Sequence, residues 1–340
     1  MSESLNKTTW GEWFLNYSLY LILMVMIISV VIYEPSFLSF SNLSKIMAQA
    51  STRGILALGV AGMIVYTGTD LSAGRILGFC AAISASLLQS VTYASRMYPG
   101  ITEPLPLILP LALSILAAMA FCALNAFGFA VLKMHPFIIS LGTQLIAYGS
   151  LCMYIDSQAS GAQPLASLDS RYIKLVNGYF DLGFMNLPYL VIYLGLCAAV
   201  MWVVWNKTTL GKNMFAIGGN PEAAAVSGVN VTRNIFGVYM VAGVLYGIAA
   251  FLEAGRVQSV TTSTGLNYDL DAISACVIGG VSFTGGVGTI PGVLIGVMIL
   301  QVINYSLYYL GVNAYLQYII KGLIIIMAVA IDVRKYITKK

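Results

Sequence analysis

An aspartate and an arginine interrupt an apolar part of this chain at residues 67–78, which read TGTDLSAGRILG. The chain as a whole is 59% hydrophobic and only 9% charged, which is typical of a protein that lies in a bilayer. A charged residue at membrane depth is tolerated where it is buried in protein or faces water. We therefore predict a broken segment near 67–75, in which Asp70 accepts hydrogen bonds from the amides near Ser72 and Ala73 and caps the next helix.

Polar residues inside the apolar stretches are candidates for a kink or for a path that a polar solute follows. The same side chains could instead hydrogen-bond a neighbouring helix, and Asp70 could be an N-cap without touching any solute. The sequence leaves these alternatives open. The candidates are Thr69, Asp70, Ser72, Asn125, Thr143, Gln144, Ser274 and Asn304.

A second distinctive stretch lies in the polar loop 206–233, which contains GGNPEAAAVSG. Pro221 suits the first turn of a helix, Glu222 interacts favourably with the helix dipole, and the alanines have high helix propensity. Gly228 is expected to end this helix. By itself the pattern is compatible with a helix that docks into a partner and equally with one that lies on the membrane surface.

Several chemistries are excluded by what the sequence lacks. It contains no GxxxxGK[ST] phosphate-binding loop, so we expect no nucleotide to bind this chain. His135 is the single histidine, which leaves no Ser-His-Asp triad and no histidine-rich metal site. The net charge of +4 comes from loops and chain ends, which indicates membrane topology rather than nucleic-acid binding. We predict a protein that is not an enzyme and has no cofactor of its own.

Apolar windows of about twenty residues, the length that crosses the hydrocarbon core, predict an all-α membrane protein with about ten transmembrane helices. The segment 257–289 mixes polar residues with glycines, so we expect it to be broken or re-entrant, and GGVGT at 285–289 to be a tight turn. The predicted spans are 17–33, 46–67, 73–91, 105–130, 136–155, 187–205, 234–252, 270–284, 290–310 and 314–333.

Lysines and arginines in the loops favour a topology with both termini in the cytoplasm. The loop 206–233 then lies inside, the loop 156–186 lies outside, and Arg75 is expected near the inner surface. Lys321 falls within the last span and needs an acidic partner, for which Glu253, Asp269 and Asp271 are the candidates.

Four stretches in order carry a family resemblance: TGTDLSAGRILG, HPFIISLGTQLIAYG at 135–149, GGNPEAAAVSGVNV at 218–231, and YDLDAISACVIGGVSFTGGVGTIPGVLIG at 268–296. Together they resemble the membrane permease subunits of bacterial ABC sugar importers of the ribose and galactose/methyl-galactoside type. Within that family the chain looks more similar to the galactose/methyl-galactoside type. The resemblance covers nearly the whole chain after residue 40.

The resemblance implies a single transmembrane permease domain over 1–340 that passes a monosaccharide across the bacterial inner membrane. It also implies a homodimer, a periplasmic sugar-binding protein, and a cytoplasmic ATPase whose two nucleotide-binding modules hold ATP and Mg. The loop 206–233 would carry the helix that couples to this ATPase, and Ala224→Asp would then separate the two subunits. The implied coupling residues are Asn220, Pro221, Glu222, Ala223, Ala224, Ala225, Ser227 and Gly228.

Two alternatives for the function stay open. The first is a permease of the same family that carries nucleosides or another small polar solute. The second is an ion-coupled secondary transporter that works alone, which would need acidic or histidine relays within the bundle. Asp70 is almost the only carboxylate at a predicted membrane depth, which disfavours the second alternative.

Overall fold

The computed structural model describes residues 24, 27–159 and 161–337. Residues 27–33 are helical, and the rest of the predicted first span, 17–33, lies outside the described residues apart from Met24, which is also helical. A short 3-10 helix follows at Pro35–Leu38. The remaining α-helices are Phe40–Val65 (α1), Ala73–Leu87 (α2), Ile108–Ala130 (α3), Pro136–Asp156 (α4), Ser170–Asn177 (α5), Tyr189–Lys207 (α6), Thr209–Gly219 (α7), Pro221–Val226 (α8), Val231–Val257 (α9), Tyr268–Ile278 (α10), Ile290–Tyr309 (α11) and Ala314–Ile337 (α12).

The all-α membrane fold is confirmed. Among the described residues, six helices are long and apolar enough to cross a membrane: α1, α3, α4, α6, α9 and α11. Shorter apolar helices lie at Ala73–Leu87 and Ala314–Met327. The described chain contains almost no β-structure, with one antiparallel hairpin of Tyr179–Asp181 (β1) and Asn186–Pro188 (β2).

The segment 270–284, counted among the spans but expected to be broken or re-entrant, is not a complete crossing. Its helix, α10, has 11 residues and is therefore about 16 Å long, whereas the hydrocarbon core is about 30 Å thick. The helix ends at Ile278, and residues 279–289 are not helical. Both predicted breaks are present, because residues 66–72 and 258–267 also lie outside helices.

The loops divide between two ends of the molecule. At the α8 end, Gly68 lies against Pro136, and the amide of Gly286 donates to the carbonyl of Val65 at 2.9 Å. At the hairpin end, Ser44 Oγ donates to the carbonyl of Asn186 at 2.6 Å. The isolated bridges Gln89–Leu168 and Leu165–Val260 also lie at the hairpin end. The loops 206–233 and 156–186 are thus at opposite ends, as the predicted topology requires.

The centre of the bundle is formed by α1 and α9, which pack on each other. Helix α9 also packs on α2 and α3, whereas α1 packs on α6, α10 and α11. Most of α1 is buried inside the chain, whereas α3, α4 and α6 present apolar side chains to the outside. Tyr246 on α9 lies against Gly59 on α1, where a side chain would have no room. Small residues thus let the central helices approach closely, as is typical of helix packing in lipid.

Two half-helices, α2 and α10, begin inside the bundle and run in opposite directions. A Cβ on Gly74 or on Gly78 of α2 would lie 2.4 or 2.3 Å from a carbonyl oxygen of Gly265 or Thr264. The segment 258–267 therefore enters the bundle from the hairpin end and meets α2, while 66–72 enters from the α8 end. Each half-helix starts on Asp-Leu-x-Ala, at residues 70–73 and 269–272.

Candidate functional site

Asp70 is fully buried and is the centre of a hydrogen-bonded cluster at the start of α2. Its carboxylate accepts from the Ser72 amide at 2.9 Å, from the Ser72 hydroxyl, and from the Tyr246 hydroxyl at 3.0 Å. Asn125 Nδ2 donates to Ser72 Oγ at 2.9 Å and approaches Asp70 at 3.4 Å. The cluster ties the re-entrant segment 66–72 to α3 and α9, so Asp70 holds the break in place.

The backbone of this break differs in detail from the expectation. The amide of Ala73 is not a donor to Asp70, and the left-handed residue is Thr67, with φ +64°, rather than a glycine. Gly74 allows close packing, because a Cβ at this position would lie 2.4 Å from the carbonyl oxygen of Gly265. The N-cap residue of α2 is Ser72, whose side chain makes no capping hydrogen bond, so Asp70 stabilises the turn before the helix by accepting from the Ser72 amide.

The other candidate path residues are not brought to this cluster. Thr143 and Ser274 are buried in separate places, and the Ser274 hydroxyl donates to a backbone carbonyl on its own helix. The carbonyl of Thr69 accepts from the Ser140 hydroxyl at 3.3 Å. Gln144 and Asn304 are part-exposed. Three candidates, Asp70, Ser72 and Asn125, therefore form a common site, and solute contact by the full set stays a prediction.

The sequence led us to expect Arg75 near the inner surface, but the structure does not place it there. Its guanidinium stacks 4.2 Å from the centre of the Tyr148 ring on α4. Its Nη1 donates to the carbonyl of Thr262 at 3.1 Å, within the segment that enters from the hairpin end. Arg75 is therefore placed inside the bundle and does not pair with Asp70.

The predicted coupling helix is present as α8, Pro221–Val226. The side chain of Asn220 caps it by accepting from the Ala223 amide at 2.9 Å. Glu222 lies in the first turn, and the Ser227 hydroxyl donates to the Ala223 carbonyl at 2.8 Å. Gly228, with φ +86°, turns the chain away from the helix.

The two faces of α8 differ sharply. Ala224 is only 5% exposed and packs against the bundle, whereas Val226 is 90% exposed. Pro221, Glu222 and Ala225 are also exposed. Val226 was not among the predicted coupling residues, and its only signal in the sequence was an apolar side chain at the end of a helix of small residues. Because Ala224 faces inward, Ala224→Asp would disturb the packing of α8 and is a poor probe of its outer face.

The helix before α8, α7, is anchored through glycines to the end of α1 and to the loop after α10. A Cβ on Gly218 would lie 1.9 Å from the carbonyl oxygen of Val65, and a Cβ on Gly285 would lie 2.4 Å from the carbonyl oxygen of Gly218. Gly285 and Gly286 both have positive φ, which confirms the predicted tight turn at 285–289. We call Val65, Gly218, Gly285 and Gly286 the glycine junction. It joins the base of α8 to the end of α1 and to the loop after α10.

Five charged residues form an ion-pair cluster toward the hairpin end: Arg53, Glu253, Arg256, Asp271 and Lys321. Glu253 accepts from Arg256 at 2.7 and 2.8 Å, and also from Thr52 and Tyr268, each at 2.7 Å. Arg53 donates to Asp271, and Lys321 lies 3.5 Å from Asp271. Asp271 is thus the partner of Lys321 among the three acids considered. The spacing of Glu253 and Arg256 could have revealed their pairing from the sequence.

The loop 156–186 is held by a charged cap on α5. Asp169 accepts from the Arg171 amide at 2.8 Å and forms an ion pair with its guanidinium at 2.7 Å. The hydrogen bond from Arg171 lowers the pKa of Asp169 below its ordinary value. Tyr172 on α5 is buried and donates to the carbonyl of Phe251 on α9. The loop is therefore docked on the bundle.

Comparison with known proteins places this architecture among transport permeases. Residues 42–329 match the family described as branched-chain amino acid transport system / permease component. No solved structure matches significantly.

Three relatives illustrate the likeness. The chain is 48% identical to the galactose/methyl galactoside import permease protein MglC of Escherichia coli, over 99% of this chain and 100% of that protein. It is 48% identical to MglC of Haemophilus influenzae, over 95% of each chain. The ribose import permease protein RbsC of Bacillus subtilis is 34% identical over 92% of this chain and 91% of the relative. This chain therefore belongs to the permease family that is described as branched-chain amino acid transport system / permease component.

Proposed function

We propose that this chain is the membrane subunit of an ATP-driven importer that passes galactose or methyl galactoside into the cytoplasm. The observation that carries the proposal is the 48% identity to galactose/methyl galactoside import permeases along nearly the full length of both chains. The 34% identity to a ribose import permease supports ribose as a second candidate substrate.

The proposed assembly contains a second copy of this chain, an ATPase with two nucleotide-binding modules and a periplasmic sugar-binding protein. The permease lies in the inner membrane with both termini on the cytoplasmic side. The α8 end then faces the ATPase, and the hairpin end, with its docked loop 156–186, faces the binding protein. Support comes from the family membership and from the separation of these two loops to opposite ends.

We infer that the outer face of α8 couples the permease to the ATPase. A rigid, capped helix with an exposed apolar residue, Val226, is suited to docking in a groove, because its burial on binding is favourable. The glycine junction behind α8 offers a stiff connection from that groove to the bundle.

The test is co-purification with the ATPase, followed by ATP hydrolysis in lipid nanodiscs with sugar-loaded binding protein. Val226→Asp would place a charge in the apolar contact. We expect it to lower both ATPase retention and sugar-stimulated hydrolysis by about tenfold or more, since a buried unpaired charge costs several kcal/mol.

The matched control is Val131→Asp, which places the same charge at an exposed valine at the end of α3. This variant should retain the ATPase at the wild-type level. Equal ATPase retention by Val226→Asp and wild type would contradict the coupling role of α8.

A further inference from the structure

Arg75 is part-exposed at a depth where the surrounding chain lies within the membrane. Its stacking partner Tyr148 is about 18 Å along α4 from Pro136, measured by the helical rise. That position is well inside a hydrocarbon core about 30 Å thick. A guanidinium at this depth is tolerated only beside protein or water, so the surface around Arg75 does not face lipid.

Other polar groups share this surface. Gln144 lies one helical turn from Tyr148 on α4 and is part-exposed. Thr262 lies next to Arg75 and is also part-exposed, and the adjacent Ser263 is exposed. Tyr148 itself is 40% exposed. We call Arg75, Gln144, Tyr148, Thr262 and Ser263 the Arg75 patch.

Much of the hydrogen-bonding capacity of this patch is unused. Within the part of the chain that the structure describes, Arg75 makes one hydrogen bond, from Nη1 to Thr262, although a guanidinium carries five donors. In the same residues, neither the Gln144 amide nor the Thr262 hydroxyl has a hydrogen-bond partner within the chain. The patch therefore presents donors and acceptors together with the edge of an aromatic ring.

The outward faces of α3 and α6 provide a contrast. They expose Leu116 on α3, and Leu196 and Val200 on α6, each to 61%. Such faces suit lipid contact. On α4 itself, Leu141 and Leu145 lie within one turn of Gln144 and are 41% and 67% exposed, so the polar character is confined to the five residues of the Arg75 patch.

We propose that the Arg75 patch is a contact site for a neutral, hydroxyl-rich sugar as it crosses the membrane. Arg75, Gln144 and Thr262 exchange hydrogen bonds with sugar hydroxyls, and the Tyr148 ring lies against the C–H face of the sugar. A shallow site of this kind binds weakly and so lets the sugar leave. This inference rests on the proposed function as a sugar importer.

The test measures galactose accumulated per ATP hydrolysed in proteoliposomes that contain the permease, the ATPase and the binding protein. Arg75→Gln removes most of the donors, and we expect it to lower this ratio by about tenfold. A loss of folding would lower transport and ATP hydrolysis together and would leave the ratio unchanged. The matched control is Lys207→Gln, which removes the cation of the Lys207–Trp202 pair at the α8 end and should leave the ratio at the wild-type value.

A second variant tests whether water reaches the Arg75 patch, and this test does not depend on a transport assay. Thr262→Cys should react with a charged, membrane-impermeant thiol reagent faster than wild type does, and galactose-loaded binding protein with ATP should slow the reaction. A wild-type ratio in Arg75→Gln, or no added reactivity in Thr262→Cys, would overturn the site. Failure of the wild-type assembly to accumulate galactose would contradict the proposed function instead, while Thr262→Cys would still report whether water reaches the patch.

Discussion

Asp271 has two cationic partners, and they are not equivalent. Arg53 donates a hydrogen bond to it and also stacks 4.0 Å from the centre of the Tyr268 ring, whereas Lys321 lies 3.5 Å away. Both cations are about one-fifth exposed. Because a buried carboxylate is costly without a partner, the loss of Arg53 leaves Asp271 with its weaker contact.

Substitution of each cation by methionine separates these contributions. We expect Arg53→Met to destabilise the protein by about 3–5 kcal/mol, the range for breaking a buried pair. Lys321→Met should cost less, about 1 kcal/mol, because the contact of Lys321 with Asp271 is long, at 3.5 Å. Thermal unfolding of the purified chain in detergent, followed by circular dichroism, measures both. Equal losses of stability would show that Lys321 is as important as Arg53.

The shared carboxylate also affects a charge exchange between Asp271 and Lys321. Exchange of the charges by Lys321→Glu with Asp271→Lys would restore a simple pair, but it would place the new lysine beside Arg53. The shared acid could not be recognised from the sequence, because Arg53 and Asp271 are 218 residues apart and meet only through the packing of α10 on α1.

Among the elements, the glycine junction links the proposed docking helix to the re-entrant segments. Gly218 and Gly219 are the last two residues of α7, yet their surroundings are opposite. A Cβ on Gly218 would strike the carbonyl of Val65, whereas a Cβ on Gly219 would meet no atom within 4 Å. Backbone atoms cannot move aside as a flexible side chain can, so Gly218 sets the distance between α7 and α1.

Alanine at each of these positions tests the junction. Gly218→Ala should push α7 away from α1 and lower the sugar-stimulated ATP hydrolysis of the assembled complex, together with its unfolding temperature. Gly219→Ala is the control and should be neutral or slightly stabilising, since alanine favours helices over glycine by about 1 kcal/mol. ATP hydrolysis in nanodiscs and thermal unfolding would check both variants. Wild-type ATP hydrolysis and a wild-type unfolding temperature in Gly218→Ala would show that the glycine junction does not couple α8 to the bundle.

The sequence predicted the helices better than it predicted their ends. Apolar windows located α3, α4, α6 and α11 within a few residues, because length and composition suffice for a full crossing. They could not distinguish the half-helix α10 from a crossing. Residues 279–284 are largely small or apolar, and the helix ends there because Gly280 takes a φ of +83° and the Val281 amide donates back to the carbonyl of Cys276 at 2.9 Å.

Only part of the candidate site could be predicted from the sequence. The residue types around Asp70 indicated a break in the helix, and the structure confirms the break, although Asp70 bonds the turn before α2 rather than capping the helix. Tyr246, which completes the Asp70 cluster, is an aromatic residue in an ordinary apolar helix, so nothing in the sequence set it apart. Arg75 was misplaced because positive charges usually mark the cytoplasmic side of short loops, whereas this arginine lies inside the bundle.

At the scale of the whole molecule, two half-helices that start inside the bundle and run in opposite directions create irregular backbone at membrane depth. Such backbone is tolerated where it is packed in protein or lines a water-filled cavity. Here 66–72 and 258–267 approach from opposite ends and meet beside α2.

The most direct measurement of the central claim is uptake of radiolabelled galactose by proteoliposomes that carry the permease, with ATP and the ATPase at the α8 end and the binding protein at the hairpin end. Accumulation above the external concentration is predicted only when ATP, the ATPase and the binding protein are all present. Neither a proton nor a sodium gradient should replace ATP. Concentrative uptake by the permease alone, or uptake driven by an ion gradient, would contradict the account.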